Sequence, residues 1–155
     1  MKKRLAMLVL AGAMVTSSLT GCGLKDSATV ATVAGDEIPA GLANFYARMT
    51  QAQYESMYSS YLGDNMWTTE ASEGKTYEKL VKDEVLKDLE NMYLLEDHMD
   101  DYKISLSDDE KKAIKDAAKE FSKDNDKDDK EKVSGDTEYV ERYLYLQTVE
   151  KRMKA

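Results

Sequence analysis

Few residues in this chain have chemistry to offer. Cys22 is the only cysteine and His98 the only histidine among 155 residues. A serine–histidine–aspartate system needs its histidine beside a nucleophile on a sharp turn, and no such turn is recognisable around any serine. No glycine-rich loop is present to cradle phosphate. Asp124, Asp126 and Asp128 begin like a calcium loop, but the pattern requires glycine at its sixth position and glutamate at its twelfth. Here those positions hold Asp129 and Gly135. The run Lys123 to Lys132 therefore reads as a solvated, charged linker. His98 lies among Glu96, Asp97, Asp100 and Asp101, which point to different sides of a helix and do not make one metal site. The expectation is no catalytic residue, no metal and no cofactor.

Cys22 stands out by its place. Lys2, Lys3 and Arg4 precede an apolar run from Leu5 to Val15, and Ser17 to Gly21 supply small and polar residues before the thiol. That is the layout of a secretory signal. The run is too short to span a bilayer, which takes about 20 apolar residues. Leu19-Thr20-Gly21-Cys22 resembles a bacterial lipobox. The resemblance implies that the Cys22 thiol receives a diacylglycerol with palmitate-type chains, and that cleavage between Gly21 and Cys22 leaves a lipidated N-terminus. Two or more acyl chains anchor stably where one does not. The expected organisation is a signal peptide over residues 1–21, a lipidated tether over 22–28, and one domain over 29–155. The expected location is the extracytoplasmic face of the cell membrane.

Loss of residues 1–21 removes three basic residues and no acidic one, so the net charge moves from −8 to −11. Such a balance argues against nucleic acid, whose phosphates need clustered Lys and Arg. It also argues against electrostatic docking on anionic lipid, which leaves anchoring to the lipid itself. With one cysteine no internal disulfide forms, and stability must come from a packed core.

Eight glycines and one proline leave long uninterrupted stretches, and the fold class reads as mainly α. A small bundle of about four helices is expected, preceded by a short strand or hairpin. Thr29 to Val33 alternates and is β-branched; Ala34-Gly35-Asp36 turns it, and Glu37-Ile38 begins a second strand. Pro39 suits a first helical turn, opening a helix to about Leu62. Its first stripe is Leu42, Phe45, Tyr46 and Met49. Its second, Tyr54, Met57, Tyr58 and Tyr61, is rotated by about 120°, so the helix is apolar over a wide arc. A loop with Met66 and Trp67 follows, then a helix from about Thr76 to Tyr102 with Val81, Val85, Leu89, Met92, Leu95 and Met99 inward. Ser107 to Glu110 is a capping box for a helix bearing Ile114, Ala117, Ala118 and Phe121. A last helix, capped by Asp136 or Thr137, carries Tyr139, Tyr143, Leu146 and Met153 on one face, with Val140 and Leu144 beside it.

Leu42, Phe45, Val81, Val85 and Ile114 are core. Tyr54, Met57, Tyr58, Tyr61, Met66 and Trp67 are the candidate binding residues. Tyrosine offers an apolar ring with a polar tip at low entropic cost, and methionine adapts to varied partners. Such residues suit a shallow groove for extended apolar polypeptide.

Val30-Ala31-Thr32-Val33-Ala34-Gly35-Asp36-Glu37-Ile38 resembles the "V-A-x-V-N-G-x-x-I" opening of the SurA/PrsA class of extracytoplasmic chaperones and foldases, with Ala34 where asparagine is usual. Lys103 to Glu110 is similar to that family's segment ending in T/S-D-E-E, and Tyr139 to Met153 resembles the helix closing its N-terminal chaperone region. The resemblance spans Thr29 to Met153. It implies a helical chaperone module, anchored here as a lipoprotein, that binds unfolded or newly secreted proteins. A homo-oligomer is compatible with it. Many members add a parvulin-type prolyl isomerase domain; this chain ends at Ala155, ahead of one, so isomerase activity is not carried over. The reading from a different class is a structural lipoprotein binding one envelope partner; a truncated isomerase relative is the third.

Overall fold

The computed structural model describes residues 25–155 apart from residue 64. Gly21, Cys22 and the expected signal peptide lie outside the described residues. The hairpin opens the fold, with β1 (Thr29–Val33) antiparallel to β2 (Asp36–Pro39). Val33 pairs with Asp36, which leaves a two-residue loop in which Ala34 and Gly35 both have positive φ, 54° and 101°. Tight hairpins use such turns because their twist matches that of the strands. Ile38 is the strand residue driven fully inward, at 0% exposure.

Pro39 ends β2 opposite Thr29, where its lack of an N–H is harmless, and α1 (Ala40–Leu62) opens one residue later than expected. The Ala40 N–H donates to the Ala28 carbonyl at 2.7 Å and the Gly41 N–H to the Asp26 carbonyl at 2.8 Å. Two donors that a helix start leaves without an intrahelical partner are thereby satisfied. Residues 26 and 28, read from the sequence as tether, are thus fastened to α1. The Asp26 carboxylate also accepts from Ser134 Oγ at 2.9 Å, and Ser134 Oγ accepts from Asn44 Nδ2 at 2.8 Å.

The expected loop after α1 holds a 3-10 turn (Met66–Thr68) and a second hairpin, β3 (Glu70–Ser72) with β4 (Lys75–Thr76). Thr76 caps α2 (Tyr77–Asp97), its hydroxyl accepting from the Lys79 N–H. Val81, Val85, Leu89 and Met92 face inward as the periodicity predicts, with Tyr93 beside them. The helix stops at Asp97, five residues short of Tyr102. Glu96, Asp97, Asp100 and Asp101 crowd its C-terminal end with charge of the sign that a helix C-terminus disfavours. Short turns carry the chain through Lys103, whose φ is 57°. His98 is therefore the C-terminal cap, not a residue of the helix interior.

The capping box forms as read: Ser107 Oγ accepts from the Glu110 N–H at 3.2 Å and Glu110 accepts from the Ser107 N–H at 2.8 Å. It opens α3 (Asp108–Asp124). The charged run after it is not simply a linker. Asp126 accepts from the Asp129 N–H at 2.9 Å and caps a short α4 (Lys127–Val133). Asp128 and Asp129 lie in its first turn and Lys130 and Lys132 in its last, an order a helix dipole favours. The described residues thus hold five α-helices where about four were expected. The last, α5 (Thr137–Met153), packs against α1, α2 and α3 and is the axis of the bundle.

Three apolar clusters meet along α5. The largest joins Ile38, Leu42, Val85, Leu89 and Leu146. Phe45 stands edge-on to Phe121 and to Tyr143, each with ring centroids 5.5 Å apart, the arrangement aromatic quadrupoles favour.

Candidate functional site

The two stripes of α1 meet different fates. Leu42, Ala43 and Phe45 in the first half are buried. In the second half Met57 is 54% exposed, Tyr58 41% and Tyr61 86%. A four-member apolar stripe at i, i+3, i+4 and i+7 normally faces a neighbouring helix. Here the stripe beyond Tyr54 runs past the bundle, and the rings of Tyr58 and Tyr61 face solvent.

Tyr54 and Trp67 form the inner border of this face, both half-buried. The Tyr54 ring lies 5.6 Å from that of Tyr58 and 6.3 Å from that of Trp67, tilted by 48° and 45°. Trp67 Nε1–H donates to Glu55 at 2.8 Å, and the Tyr54 hydroxyl donates to Glu84 at 3.5 Å. Burial and then the Glu84 charge push the Tyr54 phenol above its ordinary range. Trp67 also borders a cavity of about 200 Å³ between α1 and α2, where Arg48, Gln51 and Lys82 make the walls mixed rather than apolar.

Met66 does not belong with the others. It is 2% exposed, because the 3-10 turn packs its side chain inward while setting Trp67 at the surface. Nor do the remaining five enclose a groove. Tyr54 and Trp67 form a border, and Met57, Tyr58 and Tyr61 form an open face of one helix.

A second concave surface had no counterpart in the sequence reading. It lies between the β1–β2 hairpin and the α2–α5 pair, with a volume of about 820 Å³. Tyr93, Tyr139 and Tyr145 line it together with Asp36, Glu37 and Glu141. Arg142 lies between the rings, 4.7 Å from the Tyr93 centroid and 5.6 Å from that of Tyr145. Its guanidinium binds Glu96 through two hydrogen bonds of 2.7 and 2.6 Å. Burial works against the Arg142 charge, yet the bonds to Glu96, together with the Tyr93 hydroxyl and the attraction of the Glu96 carboxylate, outweigh it and hold the group protonated. Burial raises the phenols of Tyr139 and Tyr145, with Asp26 and Glu96 respectively adding to it. The signal for this surface was available only as tyrosines on α5. The partner Glu96 is 46 residues from Arg142 in the chain, beyond any local pattern.

No group of three or more His, Cys, Asp or Glu side chains is placed to hold a metal among the described residues. No described helix is long and apolar enough to cross a membrane.

The described residues form a hairpin-led, mainly helical module with aromatic side chains displayed on an uncovered helix end. The sequence matches the profile of the SurA-like N-terminal domain over residues 3–134, and the chain belongs to that family, which is of chaperone type. The matched span runs through the hairpin, α1 to α4, and stops short of α5. No curated protein and no solved structure matches the chain.

Proposed function

We propose that this protein is a lipid-anchored holdase on the extracytoplasmic face of the membrane, where it binds unfolded or newly exported polypeptides. The observation that carries the reading is the outer half of α1, where Met57, Tyr58 and Tyr61 are exposed on one face beside Tyr54 and Trp67. Covering those rings with a client's apolar side chains is favourable by about 25 cal/mol per Å² removed from water. Family membership supports the same reading. Anchorage rests on the leader and Cys22, and it would raise the effective concentration of the module where exported chains emerge. No catalytic step is assigned to it.

The test is aggregation of a chemically denatured protein diluted into buffer, with and without the chain expressed from residue 23. Suppression that falls several-fold in Tyr58→Ala/Tyr61→Ala supports the reading. No suppression at excess chain, together with one dominant partner in an envelope crosslinking experiment, would replace it with a dedicated interaction lipoprotein. Proline-limited refolding catalysed by the chain would overturn both.

A further inference from the structure

The groove between the β1–β2 hairpin and α5 has a definite charge chemistry. Asp36, Glu37 and Glu141 line it with Glu138. None of these four carboxylates has an ion-pair partner among the described residues. The one cation on its floor, Arg142, is already held by Glu96. The groove therefore presents four uncompensated negative charges around three tyrosine rings. Its own floor shows the contact that such a surface makes, since Arg142 is bound by a carboxylate below and tyrosine faces around it. Cations over aromatic faces beside carboxylates are held by both attractions at once.

We propose that this groove docks a lysine- or arginine-bearing stretch of extended polypeptide, its cationic side chains set among Asp36, Glu37, Glu138 and Glu141. Charge complementarity selects that occupant. An anionic lipid headgroup or a nucleic acid would meet the same four carboxylates as repulsion. The groove is also distinct from the aromatic face of α1, since the two share no lining residue. The proposal rests on the polypeptide-binding reading above and adds to it a place and a charge preference.

The test compares two labelled peptides of equal length and equal apolar content, one with lysines where the other has glutamates, by fluorescence anisotropy against the chain expressed from residue 23. The lysine peptide is expected to bind about tenfold more tightly at low salt, with the advantage shrinking several-fold near 0.5 M salt as exposed charges are screened. Asp36→Asn/Glu37→Gln/Glu141→Gln should remove most of that advantage with little change in thermal melting, because Asp36 and Glu37 are exposed and Glu141 is partly so. Asp109→Asn/Glu120→Gln/Asp124→Asn removes the same charge from exposed positions outside the groove and should leave the advantage largely in place. The salt series on the unaltered chain needs no variant to fold. Equal binding of the two peptides overturns the groove proposal and leaves polypeptide binding standing. So does equal loss in both triple variants, which would assign the preference to net charge alone. Binding of neither peptide overturns both readings.

Discussion

Ala34 is held at φ 54° in the hairpin turn, a left-handed conformation in which its Cβ is unwelcome. An L-residue pays about 1–2 kcal/mol there, and asparagine tolerates the position far better. Ala34→Asn should therefore raise the urea unfolding free energy by about 1 kcal/mol; an unchanged or lowered midpoint would show that the turn relaxes around alanine. At the other junction, the capping box is joined from α5 by Arg152, which donates to Glu110 at 2.9 and 2.6 Å. The Ser107 N–H and Arg152 together hold the Glu110 carboxyl below the ordinary glutamate value. A depressed pKa in the fold means stability that is present above the unfolded value and lost as pH falls through the folded one. Glu110→Gln should flatten the acid side of the stability–pH curve below about pH 4.5 and leave its neutral-to-basic shape unchanged. Ser107→Ala should cost about 1 kcal/mol at neutral pH, read by urea titration.

At the scale of elements, the start of α1 is seated on α5 through Gly41. A Cβ built there would lie 2.3 to 2.8 Å from three atoms of the Tyr139 ring. In a free helix Gly→Ala gains about 1 kcal/mol, but overpacking of this kind costs about 1–3 kcal/mol, so Gly41→Ala should destabilise. Tyr139→Leu should recover most of the loss, and a double-mutant cycle on melting curves reads the coupling. If Gly41→Ala stabilises instead, Tyr139 is free to swing aside and does not fix the α1–α5 approach. The same junction shows what a sequence can and cannot disclose. The hairpin, the capping box and the inner stripe of α2 were legible because each is specified within a few residues. Polarity alone told that the charged run is exposed but not that it is helical; the signal for a helix was Asp126 at the cap, Asp128 and Asp129 in the first turn and Lys130 and Lys132 in the last. Met66 is buried and Trp67 beside it half-buried, a difference set by the 3-10 turn that periodicity does not show. The second groove was illegible because Glu96, Arg142 and the hairpin meet only through tertiary packing.

For the whole molecule, the proposed anchor must be related to the uncovered aromatic end of α1. Asp26 is fastened to both α1 and Ser134. Cys22 precedes it by four residues, which reach about 14 Å at full extension. A lipid on Cys22 would hold the start of α1 close to the bilayer, and at 1.5 Å per residue the exposed Tyr58 and Tyr61 lie about 27 to 32 Å along that helix from Ala40. In this arrangement the anchor and the binding face are separate devices, joined by one rigid helix. Cys22→Ser should then release the protein from the membrane fraction or leave it unprocessed. It should leave unchanged both the melting temperature and the suppression of aggregation by the purified chain. Protection of exported proteins in cells should fall, because only the local concentration has been lost. A domain that unfolds on this substitution would make Cys22 a structural residue. A protein that stays on the membrane would place its attachment in protein contacts, with the acidic groove and the aromatic face the first surfaces to test.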